Sequence, residues 1–288
     1  MSEAPTPCRV AEPIEYAVHD GVSLKGDLYL PATAGPHPVV VATPGGAWRM
    51  ANRAGLGHWC EYLASRDIAT FAIEYRTSKT GATFPRAALD VIAALEFVAG
   101  SARALGVDGA RVALLGASAG AHLAALAALA GGQKPFRSAY PSDANSGLNP
   151  PLRALVLAYG VYDLAAHWHA TRAEVAAGAE DVTLNFMGTP LGGAEVLYRS
   201  GSPIEYVAAA RSLPPVLLTW GDADQLVRPE QSQAFATTLI GAGAEVTQVP
   251  IVGAGHHWFS QHAMDDASGF TAALAPVVYG FLAGLLER

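Results

Sequence analysis

A glycine-flanked serine motif, Gly116-Ala117-Ser118-Ala119-Gly120, carries the clearest chemical signal in the sequence. It follows the apolar run Val112-Ala113-Leu114-Leu115 and precedes an alanine-rich stretch with helical character. A serine at a sharp strand-to-helix turn projects its hydroxyl above the sheet, and flanking glycines relieve the crowding of such a turn. The start of the helix also directs backbone N–H groups toward negative charge that develops nearby. The motif therefore predicts Ser118 as a nucleophile.

A serine hydroxyl is a weak nucleophile at neutral pH, so it needs a base, and the base needs an acid that orients it. In a site of this kind the chain order is serine, acid, histidine. A predicted strand at residues 216–220 is followed by two carboxylates, Asp222 and Asp224. We predict Asp224 as the acid, because a turn begins at Gly221 and the acid must reach back across the sheet. Asp222 remains the alternative acid. Its other interpretation is a turn carboxylate that accepts hydrogen bonds from nearby N–H groups.

The predicted base follows the next strand, residues 246–252, after the turn Gly253-Ala254-Gly255. Sites in α/β sheets gather at such carboxyl ends of strands. We predict His256, which directly follows the turn, and keep His257 as the alternative. The other histidines are interpreted as surface or packing residues, among them His58, His122, His167, His169 and His262. No group of His, Cys and Asp has metal-site spacing, so we expect neither a metal nor another cofactor.

Acyl transfer also needs backbone N–H groups that stabilise the oxyanion formed from the substrate carbonyl. One predicted donor is Ala119, the residue after the nucleophile, and the others should come from the loop Pro44-Gly45-Gly46-Ala47-Trp48. Its glycines would let the backbone approach a substrate, although a plain turn is the alternative interpretation. Five aromatic residues are predicted to line a substrate pocket, with a place in the core as the alternative: Trp48, Tyr159, Trp168, Phe186 and Trp258.

The elements that must position these residues are short apolar strands alternating with helices, which predicts a mostly parallel sheet with helices on both faces. A hairpin at residues 14–19 and 22–30, with His19-Asp20-Gly21 at its turn, comes first. Residues 131–150 look like a long loop, and residues 163–205 interrupt the alternation as a cap insertion would. We predict one α/β domain over residues 1–288 with a cap at about 163–205. Strands are predicted at residues 39–42, 69–75, 112–115, 154–158, 216–220 and 246–252, and helices near 55–66, after Pro85, at 119–130, at 229–241 and over the last twenty residues.

Composition limits the partners of this chain. Its 288 residues are 51% hydrophobic and carry a formal charge of −7 without a basic run, which argues against nucleic acid and anionic membranes. Cys8 and Cys60 are too few for a disulfide framework and are interpreted as ordinary thiols, with one bridge left open. The sequence shows neither a signal peptide nor an uncharged apolar stretch of the ~20 residues that span a bilayer. We expect a cytoplasmic protein with a small-molecule ester as partner, and a homodimer is compatible with the sequence.

With these motifs the sequence resembles the α/β-hydrolase family, and within it the carboxylesterases related to hormone-sensitive lipase and kynurenine formamidase. The resemblance spans nearly the whole chain and rests on Gly45-Gly46-Ala47-Trp48, Glu74-Tyr75-Arg76, Asp90, the 116–120 motif, Gly221-Asp222-Ala223-Asp224 and Gly255-His256. It implies a catalytic triad of Ser118, Asp224 and His256. It also implies an oxyanion hole formed by the N–H groups of Gly46, Ala47 and Ala119. Tyr75, Arg76 and Asp90 are interpreted as residues that brace the structure.

One departure concerns Pro44, which stands where the family usually has histidine before the two glycines. Some carbohydrate acetyl esterases share a Pro-Gly-Gly start, so substrate class is affected more than reaction type. The resemblance implies two-step acyl transfer on esters with small to medium, apolar or aromatic groups. The alternatives are an amidase or formamidase with the same triad, a carbohydrate acetyl esterase, or an inactive binding protein. A dehalogenase or lyase on this fold is disfavoured by the serine in the motif.

Overall fold

The computed structural model describes residues 9–10, 13–133, 135–137, 140–210, 212–266 and 268–287. Nine strands within these residues form one sheet with the neighbour order β1-β3-β5-β4-β6-β7-β8-β9, and β2 pairs with β3. The strands are β1 (Arg9–Val10), β2 (Ile14–His19), β3 (Val22–Leu30), β4 (His37–Thr43), β5 (Ala69–Ile73), β6 (Val107–Ala117), β7 (Leu152–Ala158), β8 (Val216–Gly221) and β9 (Val246–Ile251). The six strands from β5 to β9 in this order are parallel, and the N-terminal hairpin is antiparallel.

Helices cover both faces of this sheet. Neighbouring residues of a strand point to opposite faces, and Val39, Val40 and Val41 of β4 are all fully buried, so neither face is open to solvent there. The helices are α1 (Gly57–Ala64), α2 (Arg86–Leu105), α3 (Ala119–Ala130), α4 (Leu164–Ala170), α5 (Arg172–Ala176), α6 (Val182–Met187), α7 (Glu195–Ser200), α8 (Glu230–Gly241), α9 (Trp258–Gln261) and α10 (Phe270–Leu286), with 3-10 turns at Arg53–Leu56, Ser78–Thr80 and Pro203–Ala209. Each helix of the described residues is too short or too polar to span a membrane.

The predicted alternation of strands and helices is confirmed, with three differences. Strand β6 begins at Val107 rather than at the predicted residue 112. Its first residues mix polar and apolar types and pair with β4 only through His37, so no apolar run indicates them. The single turn of α9 is too short to produce a helical period in the sequence. Residues 163–205, which the sequence predicts only as a cap insertion, contain four short helices. Cys60 is buried on α1, and Cys8 lies outside the described residues.

The parallel strands bring the carboxyl ends of β6, β8 and β9 to one edge of the sheet. Ser118 follows β6, Asp224 lies three residues after β8, and His256 lies five residues after β9. Strand β7 lies between β6 and β8, and backbone hydrogen bonds at its carboxyl end join it to both sides. The Ala158 carbonyl accepts from the Ser118 N–H at 2.9 Å, and the Tyr159 N–H donates to Thr219 at 2.7 Å. The sheet thus places the three residues side by side.

A buried charge network ties the hairpin to α2 and to the 131–150 loop. His19 is fully buried, with Nδ1 2.8 Å from Asp90 and Nε2 2.8 Å from Asp143. The Arg76 guanidinium donates to Asp90 from Nε and NH2 at 2.9 and 2.7 Å, and the Tyr140 ring stacks on His19. Burial lowers the pKa of His19, but its hydrogen bonds to the two carboxylates outweigh this, so the pKa is raised above 6.5.

This raised pKa predicts a pH-dependent stability. A group whose pKa is higher in the folded state stabilises it fully below the unfolded pKa of 6.5 and loses that contribution as pH rises through the folded pKa. We expect the urea unfolding midpoint of the wild type to fall more between pH 6 and pH 9 than that of His19→Gln. The exposed His169→Gln serves as the control and should keep the wild-type slope. Equal slopes for wild type and His19→Gln would contradict the expectation.

Candidate active site

The Ser118 turn has the strained backbone expected of an exposed nucleophile. Ser118 lies between β6 and α3 with φ 53° and ψ −122°, a conformation that non-glycine residues rarely adopt. A Cβ on Gly116 would lie 2.6 Å from the carbonyl oxygen of Gly120, and a Cβ on Gly120 would collide with the carbonyl of Thr43. Both glycines are therefore required for α3 to pack closely behind the turn. This packing directs the half-buried Ser118 hydroxyl toward His256.

A chain of hydrogen bonds links three of the residues predicted from the sequence. His256 Nε2 lies 3.0 Å from Ser118 Oγ, and His256 Nδ1 lies 2.6 Å from Asp224 Oδ2. The second oxygen of Asp224 accepts from the N–H groups of Leu226 and Val227 at 2.9 and 3.0 Å. Since the buried carboxylate accepts at Nδ1, the imidazole carries its proton there and presents Nε2 as an acceptor to the serine. This geometry allows His256 to take the hydroxyl proton.

The two residues left open as alternatives lie outside this chain of hydrogen bonds. Asp222 is exposed, and its Oδ1 accepts from the Gly253 N–H at 2.7 Å, which holds the turn after β9. His257 is exposed at the start of α9, with φ 70°, and its ring meets that of His256 edge-to-face at 4.5 Å between centroids. Burial and then the charge of His256 lower the pKa of His257.

The loop at residues 44–50 has an unusual backbone next to Ser118. Three successive residues have positive φ: Gly46 at 130°, Ala47 at 53° and Trp48 at 56°. The Gly46 carbonyl accepts from the N–H groups of Arg49 and Met50 at 2.9 and 3.0 Å, which closes the loop on itself. A Cβ on Gly45 would lie 3.2 Å from the Cβ of Ser118, so the loop approaches the serine closely.

The structure holds this loop from behind and leaves backbone donors free. The buried Tyr75 hydroxyl lies 3.0 Å from the carbonyl oxygen of Pro44 and 3.2 Å from that of Met50. Tyr75 thus braces the loop, as its position in the sequence suggested. Among the described residues, the N–H groups of Ala47 and Ala119 have no protein acceptor. The amides of a first helical turn lack intrahelical partners, which leaves Ala119 available to a ligand.

The five predicted pocket aromatics occupy different positions around the site. Trp48 and Phe186 are buried and stack at 4.7 Å between centroids. The buried Tyr159 ring lies 4.4 Å from the His256 ring. Trp258 is buried and packs edge-to-face against Tyr159, with 5.9 Å between the ring centroids. Trp168 is half-buried, with the Arg172 guanidinium 3.5 Å above its ring.

The 163–205 segment packs over the 44–50 loop. Its Phe186 carbonyl accepts from the N–H groups of Thr83 and Phe84 at 3.1 Å, and its Glu180 forms an ion pair with Arg49. A second ion pair joins Glu174 to Arg228, just beyond Asp224 in the chain, at 3.3 Å. The segment therefore contacts both the loop and the neighbourhood of the acid.

Two histidines interpreted from the sequence as surface or packing residues lie beside this site. His122 is fully buried on α3, and its backbone N–H donates to the Ser118 carbonyl at 3.1 Å. His167 is buried on α4, where burial and then the charge of His256 lower its pKa to about 4. For His122 the signal was its spacing of four residues from Ser118, which places it about one helical turn beyond the nucleophile turn. For His167 the sequence offered no signal, because its proximity to His256 arises from the folding of the 163–205 segment.

Comparison with known proteins shows the family to which this chain belongs. A family model described as BD-FAE matches residues 26–239. Esterase LipC of Mycobacterium tuberculosis is 30% identical over 223 residues, which cover 77% of this chain and 53% of LipC. Isoprenylcysteine alpha-carbonyl methylesterase ICME of Arabidopsis thaliana is 30% identical over 237 residues, which cover 80% of this chain and 53% of ICME. The chain thus spans about half the length of the curated relatives it matches.

The solved structures agree on the fold. A propionate-bound thermophilic esterase of Thermogutta terrifontis, Est2, superimposes with a TM-score of 0.75 and 26% identity, covering 95% of this chain and 94% of that one. The α/β-hydrolase fold and the resemblance to esterases inferred from the sequence motifs are confirmed. With a match that runs from the N-terminal hairpin to α8, the chain belongs to the BD-FAE family.

Proposed function

We propose that this protein is a serine hydrolase that cleaves carboxylic esters through an acyl-enzyme. The observation that carries the proposal is the continuous hydrogen-bonded chain from Ser118 through His256 to the buried Asp224, at 3.0 and 2.6 Å. A serine, a base and an orienting acid in this arrangement are the minimum that nucleophilic acyl transfer needs. The esterase names of the relatives support the same reaction class.

The proposed reaction has two steps, acylation of Ser118 and hydrolysis of the acyl-enzyme. Ser118 Oγ attacks the ester carbonyl as its proton passes to His256 Nε2, and the imidazolium then protonates the departing alcohol. Water then attacks the acyl-enzyme carbonyl as its proton passes to His256 Nε2; the acyl–Oγ bond breaks, and the imidazolium returns the proton to Ser118 Oγ, which releases the carboxylic acid. In both steps we assign stabilisation of the oxyanion to the N–H groups of Gly46, Ala47 and Ala119. Asp224 keeps the imidazole oriented and stabilises its positive charge.

We propose short acyl groups as the preferred substrates. Trp48 of the loop is buried and stacks on Phe186 of the 163–205 segment, the buried Tyr159 ring lies beside His256, and Glu180 of the segment forms an ion pair with Arg49 of the loop. Such a site offers little room for a long chain without rearrangement of the segment. A bound propionate in Est2 is consistent with this size class.

A substrate panel tests the proposal. We expect p-nitrophenyl acetate and butyrate to be hydrolysed at least about 10-fold more efficiently than the decanoate, because differences of a few methylenes in a packed pocket have effects of this size. Matched acetanilide, N-formyl and acetylated-sugar substrates complete the panel. A clear preference for the amide or formamide would contradict the esterase proposal. A preference for the acetylated sugar would identify a carbohydrate acetyl esterase instead.

A cytoplasmic location and a homodimeric state stay predictions from the sequence. Fractionation of the host cell and light scattering on the purified protein test them independently of the reaction.

A further inference from the structure

His122 joins three parts of the molecule that surround the site. Its Nδ1 lies 3.0 Å from the indole Nε1 of Trp48, and its Nε2 lies 2.7 Å from the carbonyl oxygen of Gly201. His122 itself is on α3, the helix that begins at the nucleophile turn. Trp48 belongs to the 44–50 loop, and Gly201 belongs to the 163–205 segment. One buried imidazole therefore connects the helix, the loop and the segment.

These two hydrogen bonds define the protonation state of the ring. The indole N–H can only donate, so His122 Nδ1 must be an unprotonated acceptor. The Gly201 carbonyl can only accept, so His122 Nε2 must carry the proton. Only the neutral tautomer with Nε2–H satisfies both partners. Burial lowers the pKa of His122 to about 4, in agreement with this requirement.

Trp48 connects the hydrogen bond from His122 to the backbone of the 44–50 loop. It directly follows Ala47, and both residues adopt the left-handed conformation that costs non-glycine residues energy. Such a backbone persists only where surrounding contacts hold it. The Trp48 indole stacks on Phe186 at its face and bonds to His122 at its edge, while the Trp48 carbonyl accepts from the Ser78 N–H at 2.8 Å. Of these contacts, the one to His122 comes from α3, the helix that begins directly after Ser118.

We propose that His122 is a positioning residue for acyl transfer, which holds the 44–50 loop in register with Ser118 by accepting the indole N–H of Trp48. The inference rests on the proposed esterase function and deepens it. Through its second bond, to Gly201, the same imidazole ties the 163–205 segment to the loop. A displacement of about 1 Å in catalytic groups can cost about 100-fold in rate, so a small relaxation of the loop is sufficient to be measured.

Two amide variants of His122 separate the two hydrogen bonds. In His122→Asn the amide oxygen takes the place of Nδ1 and can still accept from Trp48, whereas the bond to Gly201 is lost. In His122→Gln the amide reaches the place of Nε2 and can still donate to Gly201, whereas Trp48 loses its acceptor. Trp48→Phe removes the donor and keeps the aromatic stack on Phe186. The exposed His169→Asn is the control for substitution of a histidine.

The assay measures kcat and KM on p-nitrophenyl butyrate, with kcat normalised to the active sites titrated by an organophosphate. We expect His122→Gln and Trp48→Phe each to lower kcat by about 10- to 100-fold with KM little changed, because misplaced donors act on the transition state. His122→Asn should retain most of the wild-type kcat. The double variant His122→Gln with Trp48→Phe should lose no more than either single variant, since both remove one interaction.

The normalisation makes the outcome decisive. If His122→Gln and Trp48→Phe keep the wild-type kcat per titrated site and lower only the melting temperature, His122 is a packing residue and the inference is wrong. An equal loss in His122→Asn and His122→Gln would also overturn it, because the bond to Trp48 would then not be the relevant one. Failure of the esterase proposal is distinct: the wild type itself would show neither ester turnover nor titratable serine.

Discussion

Replacement of Ser118 by alanine is expected to abolish ester turnover and leave the fold intact. The substitution removes the single oxygen that attacks the carbonyl, and substrate binding with oxyanion stabilisation alone leaves only weak residual catalysis. We expect kcat to fall by at least roughly 10⁴-fold. The folded state should persist, because alanine retains the Cβ and the Ser118 hydroxyl has His256 as its partner rather than a buried core group.

Three measurements check this expectation on the same preparations. Hydrolysis of p-nitrophenyl butyrate gives the rate, labelling by a fluorophosphonate reports the nucleophile, and circular dichroism with thermal melting reports the fold. Ser65→Ala is the matched control, because the Ser65 hydroxyl at the end of α1 donates to the Tyr62 carbonyl and accepts from the Arg66 guanidinium, both close neighbours in the chain. Turnover or labelling that survives in folded Ser118→Ala would contradict the assignment of the nucleophile.

The second large effect is expected for Asp224→Asn. The neutral amide can donate as well as accept, so it no longer selects the imidazole tautomer with Nδ1–H, and it removes the charge that stabilises the imidazolium. In a triad a change of this kind lowers kcat by roughly 10⁴-fold. The side chain keeps its size, and its oxygen can still accept from Leu226 and Val227, so we expect a folded protein.

Asp222→Asn provides a control at a distance of two residues in the chain. Its amide oxygen can still accept from the Gly253 N–H, and the hydrogen bonds of His256 within the described residues go to Asp224 and Ser118 instead. We expect this variant to match the wild type in kcat on p-nitrophenyl butyrate. A large loss in Asp222→Asn combined with an active Asp224→Asn would reverse the choice between the two carboxylates.

Much of the fold could be predicted because it depends on short-range patterns. The strands β4, β6, β7 and β8 each contain a short apolar run, and such runs form buried parallel strands. The bounds predicted for α3, residues 119–130, are those observed, because the glycine motif starts the helix and Gly131 ends it. The network around His19 was not predictable, since Asp90 and Asp143 lie 71 and 124 residues away in the chain.

The same distinction applies to the candidate site. The glycine-flanked serine, the acidic turn after β8 and the histidine pair after β9 are local signals, and the chain order of their types was sufficient to predict the reaction class. Local sequence could not decide between Asp222 and Asp224, or between His256 and His257. Within each pair the residue types are identical, and only the backbone path decides which side chain turns inward.

The contact between His122 and Trp48 shows the limit most clearly. The two residues are 74 positions apart, and neither carries a motif that names the other as its partner. Residue type and spacing determined which chemistry this chain can perform, because strands, turns and helix starts follow from interactions between near neighbours. Which side chains meet, and how the 163–205 segment contacts the 44–50 loop, was decided by packing between elements distant in the chain, whose energy depends on the whole assembled core.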